Sequence, residues 1–195
     1  MSRATTQHRI LAGLAGLLVL ASVSGCTSGS ASQTAQPTVQ PQQAEERTNQ
    51  KAPGSDANNL APAFQLSDVH TGQPISHVLG KPTVIFFMAS WCSSCIGEED
   101  ALKQVWAKYG DKVQLLTVDV DTVNDTAENL KQFAKEYGGD WPHALDSDQM
   151  VQKFAISSLD TTVIIGADGK TVYRDERPTP FLLLDRALSP LLTKS

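Results

Sequence analysis

Residues 82–95 read PTVIFFMASWCSSC. The first half of this stretch is almost continuously apolar and rich in β-branched and aromatic side chains, which is typical of a strand buried on both faces. It leads into Cys92 and Cys95, two cysteines with two residues between them. Apolar side chains then recur at three- and four-residue spacing over residues 102–109, and Gly110 ends the pattern, which predicts an amphipathic helix. The stretch therefore predicts a strand-to-helix junction that carries a cysteine pair.

Further elements follow along the chain. They are an apolar strand at 113–120, a helix at 130–137, a hairpin of 163–165 and 171–173 around an Asp-Gly turn, and a closing helix at 181–192. This order predicts an α/β fold whose central sheet is partly parallel and partly antiparallel, with helices on both faces. The cysteine pair would then lie at the C-terminal end of a central strand, where α/β sheets usually build their sites.

The N-terminus has the features of an export signal. Two arginines precede the uncharged apolar run of residues 10–23, which is too short to span a bilayer. The following VSGC, residues 23–26, resembles the lipobox of bacterial lipoproteins. We expect residues 1–25 to be a signal peptide and Cys26 to carry lipid; a cleaved secretory signal with a spare cysteine is the alternative.

The rest of the chain divides into a polar segment and one domain. Residues 26–59 are dominated by small polar side chains, glutamine and proline, which predicts a disordered tether after the lipidated cysteine. Residues 60–195 are expected to fold as a single domain. The net charge is −5 and no basic patch is present, so nucleic acid is not an expected partner. The expected location is extracytoplasmic, on the bacterial cell membrane or facing the periplasm.

The spacing of Cys92 and Cys95 favours thiol-disulfide chemistry. The unpaired N–H groups and the positive end of a helix favour a thiolate at Cys92, predicted at or just before the first helical residue. Cys95 would lie on the same face and could resolve a mixed disulfide. We therefore predict that Cys92 is the nucleophile and Cys95 the resolving thiol.

Other uses of the pair are less well supported. A disulfide that encloses four residues restrains the unfolded chain by only about 2 kcal/mol, against about 3 kcal/mol for a 15-residue loop. A zinc site would need a second pair of ligands, and the four histidines do not provide one. Haem attachment would need histidine after Cys95, where Ile96 stands. No metal and no cofactor beyond the redox-active disulfide is expected.

Residues typical of one family recur across the domain from Leu60 onward. They are Phe64, Leu66, Gly72, 80–82, 86–95, Glu98, 118–121, 141–142, Asp146, 161–165 and 168–170. Together they resemble the TlpA/ResA branch of the thioredoxin-like superfamily. The resemblance implies a membrane-tethered reductase, or sometimes an oxidase, of exported proteins, including apocytochromes in cytochrome c maturation and copper-site proteins. It also implies a membrane electron donor of the CcdA or DsbD type.

Acidic residues near the cysteines need assignment. Thioredoxin carries a buried acid six residues before its first cysteine, and Phe86 stands there in this chain. Glu98 matches an acidic position of the family, and we predict that it accepts or relays the proton; a simple charge at the helix N-terminus is the alternative. Glu99 and Asp100 are interpreted as such helix-terminus charges. His143 is interpreted as a loop residue.

Asp160 is the clearest departure from the family. Thioredoxin-like proteins place a cis-proline opposite the disulfide, and alignment through residues 161–163 puts Asp160 at that position. We expect a trans bond, because a cis bond before a non-proline residue costs about 3–4 kcal/mol. The carboxylate either points at the cysteines, where it disfavours the thiolate and accepts a proton, or points to solvent. Trp91, Leu159, Asp160 and Thr161 are predicted to contact substrate.

The predicted function is reduction of disulfides in exported proteins. The neutral Ser93-Ser94 insert lacks a cationic or histidine neighbour that would stabilise a thiolate, which favours reductase over oxidase. A non-catalytic lipoprotein that binds metal or peptide is an alternative from another class. Copper chaperones of this superfamily have three residues between their cysteines, and peroxidases need a differently built loop, so both are disfavoured.

Overall fold

A computed structural model describes residues 59–193. The predicted signal peptide, Cys26 and the predicted tether up to residue 58 lie outside the described residues. The elements are β1 (Leu66–Ser67), β2 (Pro74–Ile75), β3 (Thr83–Met88), α1 (Cys95–Tyr109), a 3₁₀ turn (Gly110–Lys112), β4 (Gln114–Asp119), α2 (Ala127–Glu136), β5 (His143–Leu145), α3 (Met150–Lys153), β6 (Thr161–Ile165), β7 (Thr171–Asp175) and α4 (Phe181–Leu192). Within the described range, no helix combines the length and apolar character needed to cross a bilayer.

The main sheet has five strands in the order β5-β4-β3-β6-β7. β4 lies parallel to β3, and β5 lies parallel to β4, with α1 and α2 as the two crossover helices. β6 is antiparallel to β3, and β7 is antiparallel to β6. The predicted mixed sheet is confirmed, with the cysteine-bearing strand at its centre.

β3 is central because each of its six side chains is buried. Val84, Phe86 and Met88 join a core cluster to which α1, α2 and α4 contribute, whereas Ile85 and Phe87 face a second cluster formed with the N-terminal segment and α3. Helices therefore contribute on both faces, as predicted. Since burial of a large apolar side chain stabilises a fold by about 1.5–3 kcal/mol, β3 holds the sheet between its two layers.

Four short elements of the structure were not predicted from the sequence patterns. β1 and β2 pair antiparallel as a separate two-stranded sheet, β5 forms the edge of the main sheet, and α3 is a single turn. The interpretation of His143 as a loop residue is wrong, because His143 is the first residue of β5 and its side chain is fully buried.

The start of the described chain joins the β6–β7 turn. The Ala61 N–H donates to the Gly169 carbonyl over 2.9 Å, and the Thr171 N–H donates to the Asn59 carbonyl over 3.1 Å. Because β6 runs antiparallel to β3, this turn lies at the end of the sheet opposite Met88. The chain thus joins the domain at the end of the sheet remote from the cysteines.

Candidate active site

Cys92 and Cys95 form a disulfide at the junction of β3 and α1, with their Cα atoms 5.4 Å apart. The Cys95 N–H donates to the Cys92 carbonyl and the Gly97 N–H to the Ser94 carbonyl, each over 3.2 Å. These bonds span three residues rather than four, so the first turn is tighter than an α-helix. The helix begins at Cys95, so Cys92, predicted at or just before the first helical residue, lies three residues before it.

The two sulfur-bearing side chains differ in access. Cys92 is 7% exposed, whereas Cys95 is completely buried beneath it. Both lie at the N-terminal end of α1, where free backbone N–H groups favour negative charge. A partner disulfide can therefore approach Cys92 more readily than Cys95.

Asp160 lies directly against the disulfide. Its Oδ2 atom accepts a hydrogen bond from Ser94 Oγ over 2.6 Å, and Ser94 Oγ is 3.3 Å from Cys92 Sγ. The side chain is 7% exposed, and its Oδ1 atom has no hydrogen-bond partner among the described residues. Of the two predicted orientations, the structure has the carboxylate pointing at the cysteines.

The backbone at Asp160 is also unusual. Its φ of 56° lies in the left-handed region, which non-glycine residues adopt rarely and aspartate more readily than most. No peptide bond among residues 59–193 is cis, so the predicted trans bond before Asp160 is confirmed. The left-handed turn, rather than a cis bond, directs the carboxylate inward, and a negative charge there opposes a thiolate at Cys92.

Glu98 lies on the buried face of α1. Its carboxylate accepts hydrogen bonds from Thr162 Oγ1 and, over 3.1 Å, from the Thr179 backbone N–H. Burial raises the pKa of Glu98 well above its usual range, and the nearby charges of Asp160 and Asp175 raise it further. Burial therefore favours the neutral form of Glu98, which is not a solvent-exposed helix charge.

Glu99 departs from its predicted role. It is fully buried and accepts a hydrogen bond from Thr117 Oγ1 over 2.8 Å, with His143 Nε2 at 3.8 Å from its Oε1 atom. Burial raises the pKa of Glu99 to about 8 and lowers the pKa of His143 to about 4. The pair is thus uncharged at pH 7. The interpretation of Glu99 as a helix-terminus charge is wrong, because this face of α1 packs onto β4 and β5. Asp100, in contrast, is exposed and pairs with Lys103.

Trp91 is the large exposed side chain beside the disulfide. It is 63% exposed, and its indole N–H donates to Asp121 Oδ2 over 2.8 Å. This bond fixes the orientation of the ring at the surface. The predicted substrate contact at Trp91 is sterically available, whereas the Thr161 side chain is buried and donates to the Ser158 carbonyl. Leu159 is partly buried and packs against the first core cluster.

Two more aspartates hold the loop before the cysteines. The Ser90 N–H donates to Asp119 Oδ2 over 3.1 Å and to Asp125 Oδ2 over 2.9 Å, and Ser90 Oγ donates to Asp125 Oδ1. Burial, followed by contact with Asp125, raises the pKa of Asp119 to about 7. The sequence analysis assigned no role to Asp119 or Asp125. A signal existed for Asp119, which belongs to VDVD, residues 118–121, at the end of a predicted strand.

Comparisons with known proteins agree with this site. The model of the AhpC/TSA family matches residues 57–174. The thiol-disulfide oxidoreductase ResA of Bacillus thuringiensis is 29% identical over 115 residues, which cover 57% of this chain and 65% of the relative. ResA of Bacillus subtilis is 30% identical over 122 residues, which cover 61% of this chain and 64% of the relative.

A solved structure shows the same fold. A thioredoxin-like protein from Aeropyrum pernix is 25% identical, with a TM-score of 0.59 over 66% of this chain and 89% of that one. The chain spans less than two thirds of the length of the two ResA relatives. The matched region includes the junction of β3 and α1 with its disulfide and continues through β6. The chain belongs to the AhpC/TSA family and has a thioredoxin-like fold.

Proposed function

We propose that this chain is a thiol-disulfide oxidoreductase that reduces disulfides of exported proteins through Cys92 and Cys95. The supporting observation is the asymmetric disulfide, with one accessible and one buried sulfur at a helix N-terminus. Two ResA proteins that the chain resembles are named for the same activity.

The exchange proceeds in two displacements. The Cys92 thiolate attacks one sulfur of the substrate disulfide, the substrate S–S bond breaks, and a mixed disulfide forms. The Cys95 thiolate then attacks Cys92 Sγ, and the second substrate sulfur leaves. Two electrons pass from the dithiol to the substrate, and the two protons lost by the cysteines end on the two substrate thiols.

Asp160 is the proposed proton acceptor for the attacking thiol. Its carboxylate reaches Cys92 through Ser94 Oγ, and its free Oδ1 atom can take a proton. Glu98 has a secondary role: burial favours its neutral form, which adds no second negative charge beside Asp160. Trp91, with its fixed ring, provides the apolar contact for the incoming substrate chain.

The charge around the pair favours the reductase direction. Within the described residues, the carboxylate nearest the sulfurs belongs to Asp160, and Ser94 directs its hydroxyl proton to that carboxylate rather than to Cys92. Both effects disfavour the thiolate relative to the thiol. A less stable thiolate makes the dithiol easier to oxidise and so a stronger reductant.

The reduction potential of the Cys92–Cys95 couple tests this direction. The full chain would be equilibrated in redox buffers of known dithiol-to-disulfide ratio, and the oxidised fraction measured after acid quenching and alkylation. A potential of about −270 mV supports the reductase, and a potential of about −120 mV overturns the reductase proposal in favour of an oxidase. Cys92→Ser is the matched control and should show no redox transition.

Location and partners belong to the same proposal. The proposed lipid on Cys26 holds the domain at the bacterial cell membrane, where disulfides of exported proteins are the substrates. A membrane donor of the CcdA or DsbD type returns electrons to the disulfide. The support is the VSGC sequence at residues 23–26 behind an apolar run.

A further inference from the structure

Three potential metal ligands converge at the disulfide. The sulfur atoms of Cys92 and Cys95 and a carboxylate oxygen of Asp160 lie within 4.8 Å of one another, and all three residues are buried. The sequence disfavours a zinc site because no second cysteine or histidine pair follows. The fold supplies a third ligand of a different kind, from a loop far along the chain.

Asp160 provides an independent indication of a ligand. Its side chain is more than nine-tenths buried, its Oδ2 atom accepts one bond from Ser94, and its Oδ1 atom has no partner among residues 59–193. A buried carboxylate oxygen normally has a donor or a cation beside it, because its desolvation is otherwise uncompensated. The free oxygen belongs to the group that already faces the sulfurs.

We propose that the reduced centre binds one Zn²⁺ ion through Cys92 Sγ, Cys95 Sγ and Asp160. The disulfide is first reduced by a dithiol donor, which delivers two electrons and two protons and leaves two thiols. Zinc then forms two S–Zn bonds and one O–Zn bond, and the two thiol protons are released to solvent. Water completes the four ligands that zinc prefers.

The donor set selects the metal. Zinc accepts mixed thiolate and carboxylate ligands at about 2.3 Å and about 2.0–2.2 Å, so tetrahedral ligands lie about 3.5–4 Å apart. Asp160 already lies within 4.8 Å of both sulfurs, and the two sulfurs, bonded to each other in the oxidised centre, separate on reduction. Mg²⁺ and Ca²⁺ require oxygen ligands, and a two-coordinate Cu⁺ ion would be satisfied by the two thiolates alone. A requirement for Asp160 is therefore specific to the proposed site.

Zinc binding would change the chemistry of the centre. Both sulfurs would be metal ligands, so neither could attack a disulfide, and the dithiol would be protected from oxidation. The inference depends on reduction of the disulfide alone and not on the direction of exchange. It can therefore fail or succeed separately from the proposed function.

The test uses the full chain with Cys26→Ala, so that Cys92 and Cys95 are the remaining thiols. The protein is treated with chelator, reduced with a phosphine without oxygen, and titrated with ZnCl₂ against a chromophoric chelator. We expect one equivalent of zinc on the reduced chain and none on the oxidised chain. Asp160→Asn, which keeps the size and tolerates the left-handed backbone, should weaken binding by about tenfold or more.

Asp100→Asn is the matched control, since Asp100 is an exposed aspartate on α1 away from the site. It should bind zinc as the parent does. Equal affinity of the Asp160→Asn variant and the parent would overturn the proposal and leave a simple dithiol chelate. Equal binding by the oxidised chain would place the metal elsewhere and would also overturn it. Thiolate-to-metal charge-transfer absorption with Co²⁺ as the probe, present in the parent after reduction, checks the sulfur ligands.

Discussion

At the scale of single residues, the carboxylate of Asp160 lies beside the cysteine pair. Its Oδ2 atom reaches Cys92 through the Ser94 hydroxyl, and a left-handed backbone holds it in place. Serine in the insert thus connects the attacking sulfur to a carboxylate supplied by a distant loop. Removal of that charge should make Cys92 more reactive at low pH.

We therefore predict that Asp160→Asn shifts the pH midpoint of Cys92 alkylation downward. Loss of the nearby carboxylate removes the like-charge repulsion that opposes the thiolate. Rates of iodoacetamide reaction with the reduced chain, measured from pH 5 to pH 10, give the midpoint. Ser94→Ala should shift it less, since the carboxylate remains. An unchanged midpoint in Asp160→Asn would make Asp160 a structural residue only.

A second residue-scale prediction concerns the two thiols. Cys95→Ser retains the accessible Cys92, and Cys92→Ser retains the buried Cys95. The variant with Cys92 should react faster with iodoacetamide at every pH, because access and the helix N-terminus both favour it. The opposite order would exchange the nucleophile and the resolving thiol.

Site features within one local motif could be predicted from the sequence, whereas contacts between distant residues could not. Cys92 and Cys95 are recognisable because both belong to one local motif. The contact between Ser94 and Asp160 joins loops 66 positions apart, and local sequence indicates only that an aspartate replaces proline there. Its orientation depends on a backbone angle that aspartate can adopt but does not require.

At the scale of elements, α1 carries two buried acids in its first turns. Glu98 faces β6 and the Thr179 loop, and Glu99 faces β4 and β5. Both have raised pKa values because burial disfavours the ionised form. A helix so placed favours the neutral form of both acids, and folding opposes their ionisation.

Glu99→Gln should remove part of the pH dependence of stability. The pKa of Glu99 is about 8 in the folded chain and about 4.5 when unfolded. The contribution of Glu99 to the free energy of unfolding is therefore fully present below pH 4.5 and is lost as the pH rises to 8. Between pH 6.5 and 7.5 the wild type should lose about 1.2 kcal/mol relative to Glu99→Gln. His143 stays neutral in this interval, and glutamine can still accept the Thr117 bond.

Urea unfolding at the two pH values measures this difference in free energy. Asp100→Asn is the surface control and should follow the wild type. A loss of stability in Glu99→Gln equal to that of the wild type would show that Glu99 is already ionised in the folded protein.

Long elements were predictable and short ones were not. Strand β3 and helix α4 match their predicted ranges closely because each repeats one hydrophobic pattern over several residues. The elements β1, β2, β5 and α3 have two to four residues, too few for any period to be recognised. These elements pair with β4 or bury apolar side chains against one face of the sheet. Glu99 was misassigned for the same reason, since its burial depends on β5.

At the scale of the whole molecule, the first described residues and the disulfide lie at opposite ends of one sheet. The N-terminal residues pair with the β6–β7 turn, and the cysteines follow the other end of β3. The described part of the chain therefore begins at the end of the sheet opposite the cysteines.

The proposed membrane attachment gives a whole-molecule prediction. Cys26→Ala should move the protein from the membrane fraction to the soluble fraction, because the proposed lipid can no longer be added. Insulin reduction by the purified variant should equal that of the wild type, since the cysteine pair lies in another part of the chain. Fractionation and turbidity assays give the two readings, and a loss of insulin reduction would assign Cys26 a redox role.

The pairing of residues 59–61 with the β6–β7 turn has a mechanical consequence. A pull on the N-terminal end is transmitted first to the Asn59–Thr171 hydrogen bond, then to the Ala61–Gly169 hydrogen bond and the hairpin. The cysteine loop lies about 20 Å further along the sheet, beyond the whole length of β3. Tension is thus met first at the end of the hairpin that is remote from the sulfurs and from Asp160, which precedes β6.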